Sequence, residues 1–256
     1  VADNLVVREQ FNKQAANFNN WPVTQDERNH RFLYDFFDLE AADRLLDIAC
    51  GTGAFSVYAG RRIRAVWGVD ISEKMIEIAA ECAARNGLNN VSFLRCGVEK
   101  LPFADGSFEC VVSKSAFHHL KDGEAVFKEM ARCCKTQGRI GLQDIVLYGD
   151  KKLDAFFEEL ERDIDLSHNL SLSKQEMIDF YKGNGIKVTR LFESVSELNF
   201  AEYVNHAVQT SEAKAKIEKM LDFGLRDADI SRWLEVRNGV CFWKRKVLTI
   251  AGEKLE

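Results

Sequence analysis

Two carboxylates frame a glycine turn in this chain. Asp47 lies in an apolar run, Leu45-Leu46-Asp47-Ile48-Ala49, that leads into Cys50-Gly51-Thr52-Gly53, and Asp70 closes a second run, Ala65-Val66-Trp67-Gly68-Val69-Asp70. Acids at the ends of two neighbouring parallel strands, with glycines in the turn after the first, describe a nucleotide-type pocket at the strands' carboxyl ends. The sign of the charge narrows the ligand. A pyrophosphate needs bare backbone amides at such a turn and is repelled by a carboxylate four residues before Gly51. A ligand with cationic groups and no phosphate is instead favoured by Asp47, while Asp70, about 20 residues after the turn, suits ribose hydroxyls.

S-adenosylmethionine has that chemistry: an ammonium and a sulfonium at one end, a ribose and adenine at the other. The glycine pattern agrees, since a dinucleotide fingerprint wants a third glycine where Ser56 stands. Asp47 and Ser56 together argue against a nicotinamide oxidoreductase. Methyl transfer from a sulfonium is an in-line displacement, so the protein has chiefly to align the reactants in a dry pocket, with a general base only where the acceptor must lose a proton. The candidates for that base are His119, just after the fourth strand, and His168, on the link into the C-terminal part. Packing at a loop is the competing reading for His118 and His119, and a helix cap that for His168.

These residues need an alternating scaffold to hold them. Residues 1–40 read as helical, with Phe32, Leu33, Phe36 and Phe37 as a stripe. Strands are expected at 44–49, 64–70, 91–95, 108–113 and 139–146. Helices fall between them, one from Ala54 to Arg61, one capped by Ser72 and running to about Arg85, and one from about Gly123 to Cys134. Such alternation predicts a Rossmann-like α/β fold: a seven-stranded, mostly parallel sheet with helices on both faces. Beyond residue 150 come a helix with Leu153, Phe156, Phe157, Leu160 and Ile164 as its apolar stripe and a helix opened by the Ser173–Glu176 capping box. Strands follow at 185–192 and 240–250. A helical insertion of about 200–236 separates the last two strands. Its expected buried positions are Tyr203, Val204, Ala207, Ile217, Met220, Leu221 and Phe223. It reads equally as a lid over the substrate or as added core. The division expected is 1–40 covering the cofactor site, 41–150 the cofactor-binding core, and 151–256 completing the sheet with the lid.

The 256 residues are 46% hydrophobic and 29% charged, enough to bury a core and keep a polar surface. A net charge of −5 argues against nucleic acid as the main partner. No stretch approaches the roughly 20 apolar residues that span a bilayer, and the first ten lack a signal-peptide core, so a cytoplasmic location is expected. The seven cysteines, at 50, 82, 96, 110, 133, 134 and 241, show no Cys-x-x-Cys spacing and read as reduced, small apolar residues. A thiolate cluster centred on Cys133-Cys134 is the sharper alternative, disfavoured because adjacent helical side chains diverge by about 100°. No metal is expected.

Five stretches in order, Asp47 to Gly53, Asp70 to Met75, Glu99-Lys100-Leu101-Pro102-Phe103, Gly106-Ser107-Phe108 and Ala116-Phe117-His118-His119-Leu120, resemble the class I S-adenosylmethionine-dependent methyltransferases. Within that class the chain is most similar to the ubiquinone/menaquinone-biosynthesis type and its relatives of unassigned substrate. The likeness covers residues 10–148, and Asp165-Leu166-Ser167-His168 resembles the relatives. It implies that Asp47 lies near the methionine end and that Ala49, Gly51 and Gly53 line the cofactor with His118 alongside. Asp70 would hold both ribose hydroxyls, Ile71 and Met75 would pack on the adenine, and the Ser113 carbonyl would hold the ammonium. Two departures stand out. Gly97 takes the place of an acid that accepts from the adenine amino group, leaving Val98's amide to read that edge. Phe18 replaces a tyrosine whose hydroxyl meets the methionine carboxylate. The implied activity is methylation of a small, apolar or aromatic acceptor, releasing S-adenosylhomocysteine, with Phe117, Phe156, Phe157, Tyr203 and Trp233 as candidate pocket aromatics and a homodimer as a candidate assembly. A catalytically silent S-adenosylmethionine-binding protein or interaction scaffold is the alternative.

Overall fold

The alternating pattern folds as one twisted sheet with helices on both faces. The computed structural model describes residues 2–207 and 209–255; the ends of the expected division at residues 1 and 256, and residue 208 within the insertion, lie outside them. Five parallel strands, β1 (Arg44–Ile48), β2 (Ala65–Asp70), β3 (Val91–Arg95), β4 (Phe108–Lys114) and β5 (Cys134–Ile145), form its larger part. Then β6 (Ile186–Asn199) and β8 (Val240–Lys254) extend it, with β8 antiparallel to both β5 and β6. The order is β3-β2-β1-β4-β5-β8-β6. The chain leaves β1 for one side and returns to the other with β4, so a crevice opens at the carboxyl ends of β1 and β4, where such sheets bind ligands.

Strand alternation explains the two faces of the core. Leu46 and Ile48 of β1 pack with Val111, Phe127, Met130, Ile140 and Tyr181. Leu45, on the opposite face, turns to Leu33, Phe37, Phe55, Val66 and Val112. Helices α1 (Ala2–Asn20), α2 (Glu27–Phe36), α3 (Ala54–Gly60), α4 (Glu73–Arg85) and α5 (Gly123–Cys133) belong to this half. Ser72 caps α4 by accepting from the Met75 amide. Beyond it, α6 (Lys151–Ile164), α7 (Lys174–Gly183), α8 (Phe200–His206) and α9 (Ser211–Arg226) follow, α7 with its Ser173–Glu176 capping box formed. The C-terminal helices have a core of their own, in which Phe157, Leu160 and Ile164 of α6 meet Tyr203, Ile217 and Trp243.

Three details differ from the sequence-based expectation. The sheet has an eighth strand, β7 (Leu234–Arg237), where the end of the helical insertion was expected. Asn238-Gly239, both at positive φ, makes the tight hairpin turn that pairs it with β8. Phe223, expected inside, is 58% exposed, because α9 buries Ile217 and Gly224 instead. Cys133 and Cys134 straddle the boundary between α5 and β5, where both are buried; all seven cysteines are free thiols.

Candidate active site

The turn after β1 is built on strained backbone. Ala49, Gly51 and Gly53 all take positive φ, at 53°, 55° and 73°. Alanine in this region costs about 1 kcal/mol, a strain that concentrates at functional sites. Gly53 is required by packing too, since a Cβ there would lie 2.8 Å from both Ala79 Cβ and the Phe93 ring. Gly53, the N-cap of α3, thus sits tightly against α4 and β3, and one turn into α3 the Ser56 hydroxyl donates to Asp47 Oδ2 of β1 at 2.6 Å.

Asp70 ties the two strand ends together. Its Oδ2 accepts from the Gly51 amide at 2.9 Å and its Oδ1 from the Ser72 amide at 2.8 Å. The carboxylate keeps acceptor capacity for a hydroxyl donor beyond these bonds. Burial pushes both carboxyls up to about 6, against the Ser56 hydrogen bond and Lys114 for Asp47 and against the backbone amides for Asp70. Cationic or hydroxyl-bearing groups that favour the ionised form are what such carboxyls fit.

A cavity of about 340 Å3 opens over this turn. Of the residues singled out from sequence, Asp47, Ala49, Gly51, Asp70, Ile71, Met75, Val98, His118, His119 and His168 border it, while Gly53, Gly97 and Ser113 do not. Ser113 lies within the sheet, its hydroxyl donating to the Ile48 carbonyl. Thr52 also borders the cavity, and its hydroxyl is buried with no partner, an available group at the rim. Two further residues escaped the sequence reasoning. A Cβ on Gly97 would stand 2.8 Å from Oε2 of Glu99, and Glu99 borders the cavity, so a carboxylate lies against the position where residue 97 has no side chain. Half-buried Lys114, at the end of β4, has its pKa lowered by burial while Asp47 opposes the shift. The acid two residues past Gly97 was a readable signal; Lys114 carried none.

The histidines converge on the other side of the cavity. His118 and His119 form a short 3-10 turn, with ring centroids 4.0 Å apart, and His168 lies 5.6 and 6.5 Å from them. Two of the three meet a carboxylate directly. His118 Nδ1 lies 2.5 Å from Asp144 Oδ1, and Asp144 also accepts from the amides of Ala116, Phe117 and Ile145. Burial would lower the His118 pKa, but Asp144 outweighs it and raises it. His119 Nδ1 meets the Ser167 hydroxyl at 3.1 Å. Its pKa is pushed down to about 3 by burial and by the charge of His118, against Asp165. His168 Nε2 lies 3.0 Å from Glu158 Oε2, with Nδ1 buried and unpartnered. It caps no helix: the cap of α6 is Asp165 and that of α7 is Ser173.

The aromatic wall differs from the one expected. Tyr203 borders the cavity, but Phe117, Phe156, Phe157 and Trp233 do not. Phe157 stacks on Trp243, and Trp233 packs edge-on to Tyr148. Phe11, Phe18 and Trp21, from α1 and the residue after it, take their place. Trp21 stacks on His206 at 4.7 Å and Phe18 meets that ring edge-on at 4.9 Å, joining α1 to α8. Beneath them Arg245 donates to Glu161 Oε1 at 2.9 Å and to the Tyr203 hydroxyl at 3.0 Å. Among the described residues no three His, Cys, Asp or Glu side chains converge as a metal site.

Known proteins share this fold. The methyltransferase-domain family pattern matches residues 46–142, the stretch from β1 into β5. The chain is 33% identical over 178 residues to the methyltransferase YcgJ of Bacillus subtilis, covering 68% of this chain and 69% of that one. It belongs to the class I S-adenosylmethionine-dependent methyltransferases. The crystal structure of YcgJ superposes with a TM-score of 0.83 at 25% identity, over 90% of this chain and 99% of that one. The ubiquinone/menaquinone C-methyltransferase UbiE of Haemophilus ducreyi is 32% identical over 114 residues, 43% of this chain and 44% of that one. The fold is shared, with a TM-score of 0.61 at 20% identity, by the geranyl diphosphate C-methyltransferase of Streptomyces coelicolor, whose structure holds S-adenosylhomocysteine; the match spans 90% of this chain and 78% of that one. For this methyltransferase S-adenosylmethionine is the cofactor, and the donor set around the turn suits it: carboxylates for ribose hydroxyls and a cation, with apolar Ile71 and Met75 beside them.

Proposed function

We propose that this methyltransferase acts on a small acceptor with an apolar or aromatic body. The observation that carries the reading is the continuity of one cavity from the acid-lined turn at Asp47 and Asp70 to a wall of Phe11, Phe18, Trp21 and Tyr203. S-adenosylmethionine supplies a methyl group on a sulfonium, a leaving group that needs no acid. The chain's residues do the rest. Asp70 holds the ribose hydroxyls, Glu99 accepts from the adenine amino group in place of a side chain at 97, and Ile71 and Met75 cover the ring. Asp47 favours the ammonium. Lys114, with Thr52 nearby at the turn, offsets the hydroxyl that Phe18 lacks at the methionine carboxylate. The α1 segment and α8 exclude water: Phe18 and Trp21 on one side close against His206 on the other. His119, neutral at physiological pH, takes the proton when the acceptor is a hydroxyl or an enol.

Isotope-labelled S-adenosylmethionine and a panel of phenols, enols, small acids and amines test this, with transfer followed by mass spectrometry. Transfer to aromatic or apolar members is expected. Tight binding of the donor with no transfer to any compound would favour the silent binding protein, and transfer confined to polar amines would overturn the acceptor class.

A further inference from the structure

The segment Asp165-Leu166-Ser167-His168 leaves α6 and borders the cavity beside His119. Asp165 is buried at the end of the helix. Its Oδ1 accepts from the Ser167 amide at 2.9 Å and from the Ser167 hydroxyl at 2.6 Å, and its Oδ2 accepts from Gln14 Nε2 of α1 at 3.2 Å. Burial would raise the Asp165 pKa, but the hydrogen bonds it accepts from Ser167 and Gln14 hold it down. A hydroxyl has one hydrogen, and the shorter, charge-assisted bond to Asp165 takes it. Ser167 Oγ is then an acceptor toward His119 Nδ1 at 3.1 Å. Nδ1 must carry the ring proton, and in the neutral ring Nε2 is bare.

We propose that Ser167 and Asp165 are positioning residues that hold His119 as its Nδ1-protonated tautomer, so that Nε2 is the proton acceptor for a hydroxyl or enol in the cavity. The inference rests on the role given to His119 above and names the residues that enforce it. The groups packed around this ring are His118 with Asp144, His168 with Glu158, Asp165 itself, and the Phe11 ring of α1 edge-on at 4.9 Å. Burial, with the charge of His118 added to it, keeps His119 neutral before reaction. As the acceptor oxygen bonds the methyl carbon, its proton passes to Nε2 and the carbon–sulfur bonding pair stays on sulfur. The resulting imidazolium is joined through Nδ1–H and the Ser167 hydroxyl to the Asp165 carboxylate, and the proton is later lost to solvent. Asp165 thus stabilises the charge without being protonated.

The test reads the tautomer directly. Protein labelled with ring-15N histidine and saturated with S-adenosylhomocysteine is measured by long-range 1H–15N correlation, with His119 assigned by its absence in H119Q. Wild type is expected to show a protonated Nδ1 and a bare Nε2. In Ser167→Ala the ratio of tautomers should shift toward Nε2–H by about fivefold or more, the worth of one hydrogen bond. Ser167→Thr, which keeps the hydroxyl, should restore the wild-type pattern, and Asp165→Asn, which removes the charge that holds the hydroxyl hydrogen, should erode it. Far-ultraviolet circular dichroism checks that each variant folds; should Ser167→Ala fail, the threonine and asparagine variants carry the test. A wild-type ring protonated on Nε2, or a pattern unmoved by both Ser167→Ala and Asp165→Asn, would overturn the positioning role. Undiminished turnover by H119Q on a proton-losing acceptor from the panel would instead overturn the proton-acceptor role while leaving the tautomer result intact.

Discussion

The carboxylate of Glu99 fills the place that a side chain on Gly97 would need, with Oε2 2.8 Å from the position of the missing Cβ. If this carboxylate takes the role of the missing acid, it is the one that meets the adenine amino group, as proposed above. Glu99→Gln is expected to weaken S-adenosylhomocysteine binding by about tenfold, the worth of a hydrogen bond to a charged group, and to reduce the preference for the adenosyl compound over its inosyl analogue. Adding Gly97→Asp to Glu99→Gln should restore part of both. Calorimetric titration with the two ligands decides it; equal affinities in wild type and Glu99→Gln would remove Glu99 from the site.

Asp70 joins Gly51 and Ser72 through two backbone bonds, so its replacement damages the turn and, on the proposed placement of the ribose, the ligand contact as well. Asp70→Asn turns an amide NH2 toward one of those N–H groups. A loss of about 100-fold in S-adenosylhomocysteine affinity is expected, from charged hydrogen bonds worth about 1.5–3 kcal/mol each. A variant that binds within about threefold of wild type, less than one such bond is worth, would contradict this placement of the ribose.

Cofactor binding should depend on pH through Asp47 and Asp70, both held up to about 6 by burial. Folded carboxyls that keep protons to higher pH than unfolded ones add stability as pH falls from about 7 toward about 4, and that contribution is lost as pH rises through about 6. A ligand that wants them ionised binds in the opposite sense. Between about pH 7.5 and pH 5 the affinity for S-adenosylhomocysteine should fall by about tenfold for each carboxyl, and the thermal shift it produces should shrink. An affinity flat across that range would exclude both carboxyls from the contact.

Arg245 and Glu161 are an ion pair with side chains 12% and 4% exposed. Removing one partner strands the other's charge. Arg245→Met is expected to destabilise the fold by about 3–5 kcal/mol, and Glu161→Gln in the same background should recover part of the loss. Urea denaturation of the two single variants and the double variant measures the coupling; additive losses would show that the pair carries no mutual stabilisation.

Local chemistry written along the chain determined the frame and the cofactor. Apolar runs of strand length set β1 and β2, the acids at 47 and 70 met the glycine turn between them, and Ser72 and Ser173 marked where helices begin. Such features depend on neighbours a few residues apart, so period and spacing expose them. Only the folded chain decided the far side of the cavity. Ser167 reaches His119 across 48 positions, Arg245 reaches Glu161 across 84, and His206 meets Trp21 and Phe18 from the far end of the chain. The pairing of β8 antiparallel to β5 and β6, and the seating of α1 against α8, bring these groups together. No helical or strand period records which faces will meet, and for the same reason the aromatics of α6, conspicuous in sequence, went to the core rather than to the cavity.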